Sequence, residues 1–230
     1  MSTLRTARDR ARAEISAEIL ATARRQLAEH GPTDLSLRAV ARELGVVPSA
    51  VYRYFDGRDA LITGLITEAY GELGDAVDRA ANGSARRRPS ARWLAMAQAV
   101  RTWAHEHPHE YALLYGTPVP GYAAPTDTVA PGTRVPLRLL AVVAEAHTAG
   151  DVEPTATPLS AATRRDLRAL LATIEIDLPG DVMFRVLLAW TQLFGLVSFE
   201  LFNQTRGMFT DDDAVFDDAA AAMARMIGLR

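Results

Sequence analysis

The stretch PSAVYRYF, residues 48–55, places Ser49, Tyr52, Arg53 and Tyr54 within one short segment. All four side chains donate hydrogen bonds. An arginine fork matches the acceptor edge of guanine, and a phenol hydroxyl donates to phosphate oxygens. If the segment is helical, the period of 3.6 sorts its residues. Val47, Val51 and Phe55 fall on one apolar stripe, and Pro48, Ser49, Tyr52 and Arg53 lie opposite it, with Tyr54 at the edge. The stripe is expected to face a core and the donors to face outward.

Other candidate chemistry is weaker. His105, His107 and His109 recur at a spacing of two, which splays side chains around a helix. They are read as exposed histidines near a helix end, and no metal is expected. Asp211, Asp212 and Asp213 resemble a chelating cluster, but at the start of a helix they are better explained by capping and the helix dipole. The chain has no cysteine, which excludes disulfides and thiolate zinc sites. There is no Gly-x-Ser-x-Gly elbow, no glycine-rich loop after a strand and no paired carboxylates. Enzyme chemistry has no anchor, and no cofactor is expected.

The elements that must carry the donor cluster are helical. Ile15, Ile19, Ala23 and Leu27 recur at i+4 and predict a helix over about 11–29, ended by Gly31 and Pro32. A short helix follows over 37–44, with Ser36 as N-cap and Gly45 as the break. Pro48 opens the next helix, where a missing N–H costs nothing. Val40, Ala41, Leu44, Val46 and Val51 are small or aliphatic, so these two helices can cross closely. Asp56 is the expected cap of a long helix over 58–81. Further helices are expected over 90–106, within HPHEYALLYG, and over 136–149, 160–175, 181–204 and 211–228. Residues 116–135 hold Pro118, Pro120, Pro125 and Pro131, with Pro136 next, and predict a long loop. No alternating strand pattern occurs, so the fold class is all-α.

Charge is uneven along the chain. Residues 1–60 hold ten arginines against eight acids, and residues 61–230 hold fifteen against twenty. A mildly basic head on an acidic body points weakly to a polyanion partner. All 25 basic residues are arginine. The N-terminus lacks the apolar core of a signal peptide. The most apolar run, residues 182–202, carries Arg185, Gln192 and Glu200, so it reads as a buried helix and not a membrane span. These features suit a cytoplasmic protein.

Two short helices joined at Gly45, beside a longer first helix, have the layout of a helix-turn-helix. The segment LSLRAVARELGVVPSAVYRYFDGRDAL resembles the DNA-binding segment of TetR-family transcriptional regulators, and the match covers about residues 15–65. The resemblance implies a homodimer with a DNA-binding head, residues 1–57, and a helical effector-binding and dimerisation body, residues 58–230. It implies base contacts from Arg38, Pro48, Ser49 and Tyr52, and phosphate contacts from Ser36, Arg53, Tyr54 and Arg58. Pro48 and Ala50 suit contact with a thymine methyl. Val47 departs from the family pattern, because a capping serine is usual there. The basic arm of residues 1–12, with Arg5, Arg8, Arg10 and Arg12, is either a minor-groove arm or a disordered solubilising tail.

In the body, AWTQLFGLVSFELF (189–202) is similar to a helix of a TetR subgroup with a Trp…His-Gly signature. Trp190 and Gly195 match, and Phe194 replaces the histidine. Trp93, Trp103, Tyr111, Tyr115, Tyr122, Phe184, Trp190 and Phe194 are mostly core, and some are expected to line an apolar effector cavity. Trp190, Leu193, Val197 and Leu201, with Ala220, Met223, Ala224 and Ile227, are expected to form a four-helix dimer interface. The expected function is a repressor that binds a pseudo-palindromic operator as a homodimer and is released by a small-molecule effector. The alternative is a small-molecule-binding helical protein without DNA-binding activity.

Overall fold

A computed structural model describes residues 2–154 and 158–230, with the backbone alone for residues 2–6. The described residues form ten α-helices: α1 (Ser2–His30), α2 (Leu37–Glu43), α3 (Pro48–Tyr52), α4 (Arg58–Gly83), α5 (Pro89–Glu106), α6 (Pro108–Tyr115), α7 (Val129–Thr148), α8 (Ala161–Thr173), α9 (Gly180–Leu201) and α10 (Asp212–Ile227). Among the described residues the β-structure is one isolated bridge, Val152 to Leu229. The chain divides into two packing units, Met1–Gly71 with His107–Gly132, and Glu72–Glu106 with Thr133–Arg230. This division by packing cuts through α4 and α7, so it does not follow a single boundary near residue 57.

The first unit is built on the amphipathic face of α1. Ile19, Ala23 and Leu27 are buried with Leu37, Val40 and Ala41 of α2, Val51 of α3 and Leu61, Ile62 and Leu65 of α4. Polar ties fix the angles between these helices. Arg25 and Gln26 of α1 both donate to Glu43 of α2, at 2.9 and 3.2 Å. These two bonds hold the Glu43 carboxyl below the usual carboxylate range. A depressed carboxylate stabilises above its unfolded pKa, so this tie is complete at neutral pH and is lost as acid titrates Glu43. Arg24 bridges Glu68 of α4 at 2.8 Å and the buried Glu110 of α6 at 3.2 Å. Tyr70, Tyr111 and Tyr115 form an aromatic cluster in the same unit, with centroids 5.0 to 6.1 Å apart. Burial raises the Tyr115 hydroxyl pKa well above its ordinary value and keeps it neutral.

The second unit packs α10 against α9 and α5. Trp93, Met96, Val100, Leu139, Val143, Val186, Leu193, Val197, Phe216 and Met223 are all buried there. Arg101 forks onto Glu200 at 2.6 to 3.0 Å and reaches Asp213 at 2.7 Å, which joins α5 to α9 and α10. Asp211 accepts from the Ala214 N–H at 2.9 Å and is the N-cap of α10, so the aspartate run is a helix start as its position suggests. Arg134 binds Asp75 and Asp78 at 2.6 Å. Gly74 makes this possible, since a Cβ there would stand 2.5 Å from the Arg134 Cδ.

Helix α9 is long and apolar enough to cross a membrane, with mean hydropathy 1.6. Its Arg185 is nevertheless buried and donates to the Ile227 carbonyl, and much of the helix is covered by α5, α8 and α10. It is a core helix.

Three expectations are corrected. The proline-rich segment is not a loop to residue 135. Helix α7 starts at Val129 and runs through Pro131 and Pro136. Pro131 falls in the first turn, where the N–H has no helical partner to lose. Asp56 is not the cap of α4. Gly57 holds that place, and its carbonyl accepts from Leu61 N–H at 3.1 Å. The third concerns the expected dimer residues. Leu193, Val197, Ala220, Met223, Ala224 and Ile227 are buried inside their own unit, and Trp190 and Leu201 are half-buried. Those faces lie where α9 and α10 pack within the second unit, with each other and with α5 and α8.

Candidate nucleic-acid interface

Helix α2 begins where Ser36 turns the chain. The Ser36 Oγ accepts from the Ala39 N–H at 3.4 Å, so this side chain is a cap and only partly exposed. The helix ends at Gly45, with φ +69°. The Gly45 N–H reaches the Arg42 carbonyl at 3.2 Å and the Val46 N–H the Ala41 carbonyl at 2.9 Å. This pair of bonds is the Schellman arrangement, and it needs the left-handed residue. A Cβ on Gly45 would meet nothing within 4 Å. Gly45→Ala is therefore expected to cost about 1–2 kcal/mol from backbone conformation alone. A thermal melt measures this, and an unchanged midpoint would contradict the turn geometry.

The turn delivers α3 with Pro48 at its first position and no side-chain cap from Val47. Pro48, Ser49, Tyr52 and Arg53 are exposed, Ala50 is half-buried and Val51 is buried. The donor face is presented as its spacing suggests. The apolar stripe is not. Val47 is 66% exposed and Val46 43%. Only Val51 and, in part, Phe55 face the core. The reason is that α3 closes after five residues, so Val47 lies in the turn and not on the helix face.

Arg38 and Arg42 of α2 are exposed beside α3. Tyr54 is half-buried against the core of this unit, with the Arg12 guanidinium 5.0 Å from its ring centroid. Arg12 also donates to the Arg53 carbonyl at 3.3 Å. Arg58 is turned inward. Its Nη2 donates to the Pro32 carbonyl at 2.9 Å and fastens the turn between α1 and α2. The first helix starts at Ser2, well before the expected residue 11, so the arm is helical. Arg8, Arg10 and Arg12 lie along it, and the side chain of Arg5 falls outside the described residues.

The aromatic candidates of the body are divided. Trp93, Trp103 and Phe194 are buried in the second unit, where Phe184 and Trp190 are half-buried. Trp190 meets Phe194 edge-on at 6.3 Å, so the phenylalanine in place of histidine is a packing partner. Tyr111 and Tyr115 belong to the first unit. A groove of about 880 Å³ near α8 has Leu159, Leu171 and Leu178 on its walls and none of these rings. The indole N–H groups of Trp93 and Trp190 are buried without an acceptor among the described residues.

One surface escaped the sequence reading. Leu188, Phe199 and Phe202 are exposed, with Gly195 between them. Their spacing of seven, four and three is a helical stripe along α9 that ends on its C-cap Phe202, opposite the buried Leu193 and Val197. A Cβ on Gly195 would meet nothing within 4 Å, so no contact among the described residues explains a mid-helix glycine. The spacing itself is the signal that could have found this face.

Residues 19–65 match the model of bacterial regulatory proteins of the tetR family, and residues 93–223 match that of a tetracyclin repressor-like C-terminal domain. The HTH-type transcriptional regulator Rv1816 of Mycobacterium tuberculosis is 42% identical over 211 residues, covering 90% of this chain and 89% of its own. Regulatory protein SCO4313 has a similar crystal structure, with TM-score 0.74 and 34% identity over 94% of this chain and 97% of that one. A Rhodococcus sp. RHA1 protein of unknown function has TM-score 0.70 and 26% identity, covering 93% and 95% of the two chains.

Proposed function

Because the chain belongs to the TetR family of bacterial regulatory proteins, we propose that this helix-turn-helix transcriptional regulator is a cytoplasmic repressor that acts as a homodimer on a pseudo-palindromic operator. It is not an enzyme. Residues 1–57 serve as the DNA-reading head and residues 58–230 as the body. The observation that carries the reading is the exposed face of α3, with Ser49, Tyr52 and Arg53 projecting outward beside Arg38. With α3 in the major groove, Arg38, Ser49 and Tyr52 reach base edges and Arg53 reaches phosphate. The two half-sites of a dimer then lie about 34–36 Å apart, or a multiple of that.

The exposed α9 stripe supports the dimer. Leu188, Phe199 and Phe202 supply apolar area, and Gly195 lets a second copy of α9 approach closely. The unpaired indole donors of Trp93 and Trp190 support an effector site, with an effector that carries a hydrogen-bond acceptor. Release follows by linkage, since an effector that favours a head spacing unlike the operator's must weaken DNA binding by the factor that DNA weakens effector binding.

The test is a gel-shift with the DNA upstream of the gene for this chain. The unaltered protein is expected to retard it in a salt-dependent way. Tyr52→Phe removes one hydroxyl and is expected to lower affinity by about fivefold, equivalent to ~1 kcal/mol, with folding unchanged. Undiminished binding by a triple variant, Arg38→Ala with Tyr52→Phe and Arg53→Ala, would remove α3 from the interface.

A further inference from the structure

The family match starts at residue 19, yet α1 starts at Ser2. The extra turns are not a loose tail. Arg12 is fastened to the C-terminal end of α3 twice, by its 5.0 Å stack on Tyr54 and its bond to the Arg53 carbonyl. The carbonyl end of a helix carries partial negative charge, which suits a guanidinium. Ile19 and Ile15 precede this contact along one helix face, and Arg8 continues it one turn beyond. Positions 8, 12, 15 and 19 share that face by helical period. Arg8 is exposed and, among the described residues, has no partner. Arg10 is also exposed but lies about 200° around the helix.

We propose that the N-terminal half of α1 is a second phosphate-binding element, a helical rail in which Arg8 grips the DNA backbone beside the groove read by α3. The proposal rests on the DNA-binding reading of α3. The end of α3 that holds Arg53 and Tyr54 stands at the groove wall when the start of the helix enters the groove. Arg12 is anchored there, and Arg8 lies about 6 Å further along the axis, within reach of the next phosphates. The rail differs from a minor-groove arm, because a helix displays one face to the duplex and a flexible arm displays none in particular. Of the two described arginines without a partner there, Arg8 and Arg10, only Arg8 is therefore used.

Fluorescence anisotropy with the DNA upstream of the gene, over a series of salt concentrations, tests this with the full chain. The slope of log affinity against log salt measures the phosphates neutralised, at about 0.9 per contact. Arg8→Gln is expected to reduce the slope by about 0.9, and Arg10→Gln to leave it unchanged. Both residues are exposed, so circular dichroism of each variant should match the unaltered protein. Equal losses from the two variants would overturn the rail in favour of a flexible arm or a general charge effect. An unchanged slope in Arg8→Gln, with normal binding by the unaltered protein, would overturn the rail alone. No salt-dependent binding by the unaltered protein would overturn both the rail and the α3 reading.

Discussion

Phe199→Glu is expected to leave a folded monomer at micromolar concentration, where the unaltered protein is expected to sediment as a dimer. Phe199 is 59% exposed in the single chain, so its ring supports little of the fold. It sits on the α9 stripe with Leu188, Gly195 and Phe202. In a two-fold interface every substitution counts twice. Two carboxylates would be taken from water with no partner, at several kcal/mol each. The effect on DNA follows from tethering. Two heads held together bind two half-sites with an avidity about 10²–10⁴ above one head alone. Operator affinity should fall by a factor in that range while the α3 surface is untouched. Sedimentation velocity and anisotropy measure the two effects. A variant that stays dimeric with full operator affinity would place the interface elsewhere.

Leu193→Ala, on the same helix, should act in the opposite way. Leu193 is fully buried on α9, which packs against α5, α8 and α10. Truncating it leaves a cavity and is expected to cost about 2–5 kcal/mol of stability. Leu188→Ala, five residues earlier, removes an exposed side chain and should change monomer stability by about 0.5 kcal/mol or less. Denaturant titration of both, in the Phe199→Glu background so that association does not contribute, separates core from interface. If the two variants lost equal stability, the orientation assigned to α9 would be wrong.

Helix α9 has two apolar faces, and the sequence reading placed the partner contact on the one that is buried within the chain. Leu193 and Val197 satisfy the same periodic rule as Leu188 and Phe199. Periodicity finds an apolar stripe but not what covers it. The first set is buried within the chain, and the second stays exposed.

The proline-rich segment shows a related limit. Pro131 and Pro136 predict a break, because proline removes a donor and crowds the preceding turn. Pro131 falls where no donor is needed. Pro136 is carried inside α7 between buried residues, Val135 on one side and Leu139 and Leu140 on the other. Tertiary packing outweighed a local penalty of about 3 kcal/mol.

At the interface, local chemistry was decisive. Ser36 could be read as a cap, Gly45 as a left-handed turn and Pro48 as a helix start, because each depends on its own backbone and near neighbours. The helix-turn-helix and its outward donors, Ser49, Tyr52 and Arg53, were therefore legible. Arg58 and Tyr54 were not. Arg58 turned to the distant Pro32 carbonyl, and Tyr54 settled under Arg12, contacts across 26 and 42 positions that no local pattern encodes.

The amino-acid sequence by itself determined the helical class, the DNA-reading motif and the family, since these follow from hydrophobic period, caps and short motifs. Only the tertiary structure decided which face of α9 is spent on the core, and that the basic N-terminal segment is a helix fastened to the end of α3 by Arg12. Those outcomes depend on competition between distant groups for the same partner, and the winner is set by three-dimensional packing.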